Sequence, residues 1–162
     1  MDGKLRSMTA VYITRGNQIL LLYRVGSRVV QPSYCGVGGH FEKEELDDAR
    51  ACVLREMKEE LGLDGDALSD MKMRYVTLRL KNGEIRQNYY FFAELKPGVE
   101  IAPDCCEGRL EWVDMDAALQ KNMPHTAWHM LSHYLKTGRY TDTLYGGVTV
   151  QDAVIFTPLE EF

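Results

Sequence analysis

An α/β fold is what this chain predicts, on three observations. Segments of strand period and helix period alternate along it, Asn82-Gly83 joins two long strand-like runs, and Leu46 to Leu61 carries an apolar stripe at helical spacing. Met8 to Thr14 and Ile19 to Val25 read as strands joined by a short turn at Arg15-Gly16-Asn17. The second sets Leu20 and Leu22 on one face and Ile19, Leu21 and Tyr23 on the other. A strand at Tyr34 to Val37 leads into Gly38-Gly39. In the helix that follows, Leu46, Val53, Leu54, Met57 and Leu61 fall on one stripe at about 100° per residue, with Asp47 or Asp48 as cap and Gly62 as stop.

Met73 to Leu80 and Ile85 to Leu95 flank Asn82-Gly83, the strongest short hairpin signal, and form an antiparallel pair. Leu110 to Val113 is a further strand, and Asp116 to Gln120 a short helix. Pro124 opens a helix that runs to about Lys136 and ends at Gly138. Tyr140 to Tyr145 and Val148 to Phe156 read as a closing hairpin around Gly146-Gly147. No Pro/Ser-rich linker divides the 162 residues, and 45% hydrophobic content suffices for a substantial core, so residues 1–162 are expected to form a single domain that includes the hairpin at 139–157.

The chemistry concentrates in Arg55 to Glu60. Glu56, Glu59 and Glu60 stand at i, i+3 and i+4, and on a helix they project from one face, away from the apolar stripe. Like charges at that spacing cost a few tenths of a kcal/mol per pair. A hard divalent cation would resolve the conflict, whereas a solvated acidic face is the ordinary alternative for acids alone. The Gly38-Gly39 pair before the helix separates the two.

Gly39 and the run Arg55-Glu56-Met57-Lys58-Glu59-Glu60-Leu61-Gly62-Leu63 resemble the Nudix box, G-x5-E-x7-R-E-U-x-E-E-x-G-U with U aliphatic. Counting on from Gly39 puts the first box glutamate at Glu45, and counting back from Arg55 puts it at Asp47. The loop is two residues longer than the pattern, with Glu45 preferred as the partner of Arg55 and Asp47 as helix cap. The likeness extends through Met8–Ile13, Ile19–Val25, Gly36–Glu42 and Cys105–Asp116, and is closest to MutT-type proteins of the 8-oxo-dGTP diphosphatase-like subgroup. Relatives usually carry tryptophan where this chain has Tyr34, preceded here by the polar loop Ser27 to Pro32.

The resemblance implies a Nudix α/β/α sandwich, a curved mixed sheet carrying the box as loop, helix and loop. It implies a site for Mg²⁺ or Mn²⁺ formed by the Gly39 carbonyl with Glu56, Glu59 and Glu60, the missing Cβ of the glycine admitting the close approach. Arg55, Glu45, Glu59 and Glu107 are the implied catalytic groups, Arg55 orienting a box carboxylate and Glu107 a candidate general base. Substrate contacts are implied at Tyr34, Gly38 and His40. The expected reaction is attack of water on a diphosphate linkage, converting ordinary or oxidised (d)NTP to NMP and pyrophosphate. ADP-ribose or another dinucleotide, and a non-catalytic nucleotide sensor, are the alternatives.

A formal charge of −5 argues against a general nucleic-acid surface and is compatible with a metal-bridged phosphate substrate, so the expected partner is a small nucleotide. No apolar run approaches ~20 residues and no signal-peptide core opens the chain, which leads us to expect a cytoplasmic protein, monomeric or homodimeric, with no membrane partner. Cys35, Cys52, Cys105 and Cys106 show neither zinc-site nor disulfide spacing, and Cys52 reads as a small buried filler. His125, His129 and His133 line one helix face, read as solvated or partner-facing rather than as a metal site. Tyr89, Tyr90, Phe91 and Phe92 are read mostly as strand core; one side of that alternation, like Trp112 or Trp128, could stack a base.

Overall fold

The computed structural model describes residues 3–26 and 31–161, so Ser27 to Val30 of the polar loop lie outside the described residues. The strands are β1 (Lys4–Arg15), β2 (Gln18–Arg24), β3 (Ser33–Cys35), β4 (Leu68–Lys81), β5 (Glu84–Leu95), β6 (Asp104–Cys105), β7 (Gly108–Asp114), β8 (Leu144–Val150) and β9 (Ala153–Leu159). The helices are α1 (Ala49–Leu61), α2 (Met115–Ala118) and α3 (His125–Lys136). One mixed sheet runs β6-β7-β2-β1-β5-β4-β8-β9, with β3 attached to β2.

Strand alternation explains the layering. Val11, Ile13, Leu20, Leu22 and Phe91 face α1 and its Val53 and Met57; Tyr12, Ile19, Leu21, Tyr90 and Phe92 face α2 and α3 and their Met115, Met130 and Leu131. The two cores sit on opposite faces of one sheet, which is the predicted sandwich. Tyr90, Phe91 and Phe92 are buried core. Trp128 donates its indole N–H to Leu119 O at 2.9 Å and Trp112 lies under the Arg15 guanidinium, so both tryptophans have structural partners.

The β4–β5 hairpin forms as its sequence dictates. Asn82 and Gly83 both take positive φ, 53° and 77°, as a two-residue hairpin turn requires. β4 begins at Leu68, five residues before the predicted start, because Asp70 at φ 53° and two register shifts let the strand continue past an irregularity that breaks its alternation.

The site is positioned by a fork in the sheet. β1 and β2 pair only at Thr14–Ile19 and Arg15–Gln18, then diverge. The segment from Val37 to Phe41 fills the gap: Val11 and Val37 exchange backbone hydrogen bonds at 2.7 and 3.1 Å, Thr9 N–H donates to Gly39 O at 2.8 Å, and Phe41 N–H donates to Ser7 O at 3.3 Å. A Cβ on Gly38 would lie 2.2 Å from Thr9 O, so that approach needs glycine.

Two expectations are corrected at the level of elements. α1 starts at Ala49 rather than Leu46, since Asp48 caps it by accepting from Ala51 N–H at 2.9 Å, while Lys43–Glu45 forms a separate 3-10 turn. Leu46 is accordingly 69% exposed and outside the apolar stripe. The C-terminal hairpin turns at Gln151-Asp152, with Gln151 at φ 54°, and not at Gly146-Gly147. Those glycines lie inside β8, where a Cβ on Gly147 would come within 2.7 Å of the Phe156 ring.

This hairpin also corrects the reading of the histidine row. β8 joins the sheet parallel to β4 and lays β9 near α3, so His133 Nδ1 lies 2.8 Å from Tyr75 Oη and its ring 4.6 Å from that of Phe156. The row is half-buried beneath the hairpin rather than solvated, and burial holds His129 and His133 below the ordinary imidazole value.

Candidate functional site

The box helix brings its acids to the fork with unequal burial. Glu56 and Glu60 are only 9% and 6% exposed, whereas the Glu59 side chain is 57% exposed. The expectation that all three point away from the core is corrected, because the Gly38-Gly39 backbone folds down over Glu56 and Glu60. A Cβ on Gly39 would lie 2.5 Å from Glu56 Oε1, and Gly38 N–H donates to Glu60 Oε2 at 3.2 Å. Burial raises the pKa of Glu56 with Arg55 opposing, and pushes Glu60 up to about 8, with the neighbouring Glu107 adding to the effect and Arg24 opposing it.

Arg24, the last residue of β2, is the site's internal counter-ion. Its Nη2 lies 3.1 Å from Glu60 Oε1 and 2.7 Å from Glu107 Oε2, and donates to the Gly38 carbonyl. The sequence reading passed over Arg24, although the signal was present. Strand alternation puts Arg24 on the face of Leu20 and Leu22, the face that α1 covers, so a charged residue there needs buried partners.

Arg55 organises the outer half. Its Nε lies 2.7 Å from Glu45 Oε1 and its Nη2 3.0 Å from Glu45 Oε2, a bidentate pair; Nη1 lies 2.9 Å from Glu56 and 3.2 Å from Glu59; and Nη2 donates to His40 O at 3.0 Å. Glu45, not Asp47, is therefore the residue paired with Arg55. The extra loop length is absorbed by the 3-10 turn, in which Glu45 accepts from Glu42 N–H at 3.0 Å. The Arg55 hydrogen bonds hold Glu45 at about 2, well below the carboxylate range. Cys52 is buried behind this pair, 3.3 Å from Thr9 Oγ1.

Of the implied substrate contacts, Gly38 and His40 lie in the loop over the acids, and His40 is lowered by burial and by the nearby Arg6 and Arg24, with Glu107 opposing. Tyr34 stands on the opposite face of the sheet. Its hydroxyl donates to Glu111 at 2.9 Å, the Lys121 ammonium lies 4.8 Å from its ring centroid, and its ring meets that of Tyr23. Beside Arg24 and Glu107 opens a cleft of about 500 Å³, whose described lining includes Val25, Cys105, Cys106 and Gly108.

The donor set suits a hard divalent cation, being all oxygen and centred on two buried carboxylates that lack full compensation. The expected carbonyl is corrected from Gly39 to Gly38. Gly39 O points toward β1 and accepts from Thr9 N–H, while Gly38 O already faces a cation, the Arg24 guanidinium. Glu59 is turned toward Arg55, and among the described residues no three acidic, histidine or cysteine side chains converge as a metal cage. Glu56, Glu60 and the Gly38 carbonyl are the oxygens gathered at the fork, and Glu59 stands outside them against Arg55.

Comparison with known proteins gives the family and the fold. The family model described as NUDIX domain matches residues 4–134. Isopentenyl-diphosphate Delta-isomerase of Rhodobacter capsulatus is 32% identical over 111 residues, covering 67% of this chain and 63% of that protein, so the chain spans less than two thirds of that relative's length. Among solved structures, the MutT protein of Bacillus halodurans has a TM-score of 0.68 at 22% identity, covering 94% of this chain and 97% of that one. The bifunctional NMN adenylyltransferase/ADP ribose pyrophosphatase of Francisella tularensis has a TM-score of 0.65 at 13% identity, over 85% and 42%. At these identities the structural likeness speaks for the fold. No helix among the described residues is long and apolar enough to cross a membrane.

Proposed function

This chain belongs to the Nudix family, and we propose that it is a hydrolase of diphosphate substrates that cleaves ordinary or oxidised (d)NTP to NMP and pyrophosphate with Mg²⁺. The observation that carries the reading is the pair of buried carboxylates, Glu56 and Glu60, beneath a glycine backbone, with Arg55 against the first and Arg24 against the second. Two buried acids cost stability unless a cation joins them, and a phosphate substrate of high negative charge needs the same cation. Glu56, Glu60 and the Gly38 carbonyl would hold it, with Glu59 as a further donor. When bound, the ion supplies charge neutralisation on the diphosphate and a lowered pKa for the attacking water.

The chain's own residues then have separate tasks. Arg55 fixes Glu45, Glu56 and Glu59 in place and holds the His40 carbonyl, keeping the loop against the helix. Arg24 balances Glu60 and Glu107 until substrate and ion arrive. Glu107, 42% exposed at the mouth of the cleft, is on this reading the group that accepts the proton of the water as the phosphorus–oxygen anhydride bond breaks.

The test is a panel of (d)NTPs, oxidised nucleotides, ADP-ribose, NADH and dinucleoside polyphosphates with Mg²⁺, read as release of NMP or pyrophosphate. Glu60→Gln should lose more than the roughly 10–100-fold typical of an outer partner. Absence of turnover on every member would favour a nucleotide sensor. A second reading follows from the isomerase named above, 32% identical over 111 residues: isomerisation of an isoprenoid diphosphate in place of hydrolysis. Isopentenyl diphosphate therefore belongs in the panel, and allylic isomer without phosphate release would select that reading.

A further inference from the structure

On the face of the sheet opposite α1, three guanidinium groups stand side by side on adjacent strands. Arg6 on β1 is in register with Arg86 on β5, and Arg86 with Arg79 on β4. One step further out, Lys4 and Lys81 both face Glu84, so five cations surround one acid in a protein of formal charge −5. Among the described residues the row's single ion pair is Arg86 Nη2 to Glu84, at 3.5 Å. Like charges directly opposite on neighbouring strands, about 4.8 Å apart, are destabilising. Arg86 Nε is buried without a hydrogen-bond partner, and so is Thr149 Oγ1 on β8, on the strand that follows β4 in the sheet. Among the described residues nothing else of the protein neutralises this row, which leaves it open to an anionic ligand.

Its position says what that could be. Met8 lies two residues from Arg6 on the same face, about 7 Å along the strand, and is bridged to His40, the neighbour of Gly39. The row thus begins one strand repeat from the loop that covers Glu56 and Glu60. It nevertheless shares the alternation of Tyr12, Tyr90 and Tyr75, which face α3, whereas the box helix packs on the other side. A group held by the row is therefore not the diphosphate held over the acids. The near end of the row is nonetheless beside the loop over the acids, since the Arg6 charge acts on His40, which is bridged to Met8.

We propose that Arg6, Arg86 and Arg79 bind a phosphomonoester of the substrate other than the diphosphate being cleaved, so that favoured substrates are nucleotides carrying an additional phosphate, for example on the ribose. The inference rests on the diphosphate-hydrolase reading for the word substrate, but the anion site stands on the row alone. Planar guanidinium forks match phosphate oxygens two at a time, and three of them spanning about 10 Å suit one or two phosphates rather than a long polyanion.

The test is calorimetric binding in EDTA of AMP, adenosine 2′,5′-bisphosphate, adenosine 3′,5′-bisphosphate and inorganic phosphate to the full chain and to folded Arg86→Gln and Arg79→Gln variants. One bisphosphate should bind at least about tenfold tighter than AMP, and that ratio should fall toward one in the variants. Equal binding of AMP and both bisphosphates, or a preference that survives both substitutions, would overturn the proposal. Inorganic phosphate binding as tightly as the bisphosphates would show a free-anion site instead of a substrate site, and tight binding of a single-stranded oligonucleotide regardless of terminal phosphate would overturn it in favour of nucleic acid. If wild-type protein hydrolyses no nucleotide yet prefers a bisphosphate, the hydrolase reading fails and the anion site stands.

Discussion

Arg24 Nη2 lies 3.1 Å from Glu60 Oε1, setting a guanidinium against a carboxylate that burial drives toward its protonated form. The same nitrogen reaches Glu107 and the Gly38 carbonyl, so one side chain ties the end of β2, the box loop, the box helix and the β6–β7 turn together. A cation bound at Glu60 would compete with this guanidinium for the same oxygens.

Replacing Arg24 should therefore act in opposite senses on fold and on metal. Arg24→Gln leaves Glu60 and Glu107 uncompensated, and metal-free protein should lose about 1–3 kcal/mol in denaturant unfolding, since one partner of a partly buried ion pair is removed. Mg²⁺ should restore more stability to the variant than to wild type, because it supplies the missing charge to the native state only. Equal Mg²⁺ stabilisation of both proteins would show that the guanidinium and the cation do not share ligands.

Glu60 fixes the sign of a pH dependence. Its folded value, about 8, lies above that of an unfolded glutamate, so between about 4.5 and 8 the unfolded chain gives up a proton that the native state keeps. Metal-free stability should fall as pH rises through that window, while Glu60→Gln should flatten the slope. Metal binding requires the carboxylate form and should release a proton below pH 8, seen as buffer-dependent heat in calorimetry. A metal-free stability that rises from pH 5 to 8 with wild type and variant parallel would contradict the account.

Gly38 and Gly39 separate the fold from the site. A Cβ at Gly38 meets backbone, 2.2 Å from Thr9 O, so Gly38→Ala should open the loop from β1 and lower the melting temperature markedly. At Gly39 the obstacle is the Glu56 carboxylate, which can rotate away, so Gly39→Ala should weaken Mg²⁺ binding tenfold or more at a smaller stability cost of about 1 kcal/mol. Equal effects of the two substitutions on both melting and metal affinity would refute this division.

The elements were legible in the sequence wherever local chemistry and burial agree. Asn82-Gly83 admits one kind of turn, and Leu20–Leu22 against Ile19–Leu21 reproduces the two cores. Gly146-Gly147 resembled a turn because glycine pairs usually mark one, but here the absent side chains make room for Phe156, a contact nine residues downstream that no local signal encodes. The histidines misled for the same reason: the helix face looked polar, and its cover arrives from a distant hairpin. At the site the acids and glycines were evident, while Arg24, and the finding that the Gly38 and not the Gly39 carbonyl faces it, depend on how a forked sheet closes.

The loop between Gly39 and Arg55 offers the sharpest contrast between two candidate residues. Glu45 is buried and makes the bidentate pair with Arg55, whereas Asp47 is exposed two residues on. Glu45→Gln should lower kcat/KM by roughly 10–100-fold, as expected for a partner that orients a functional residue, and should cost about 2 kcal/mol near neutral pH; Asp47→Asn should do neither. Because Glu45 titrates near 2 in the native state and higher when unfolded, its contribution is complete above about pH 4.5 and is lost as pH falls toward 2. Unfolding curves of wild type and Glu45→Gln should therefore differ at pH 7 and converge near pH 2. If Asp47→Asn proved the damaging substitution, the box would have to be aligned by counting back from Arg55, and the bidentate pair would have no part in orienting the helix.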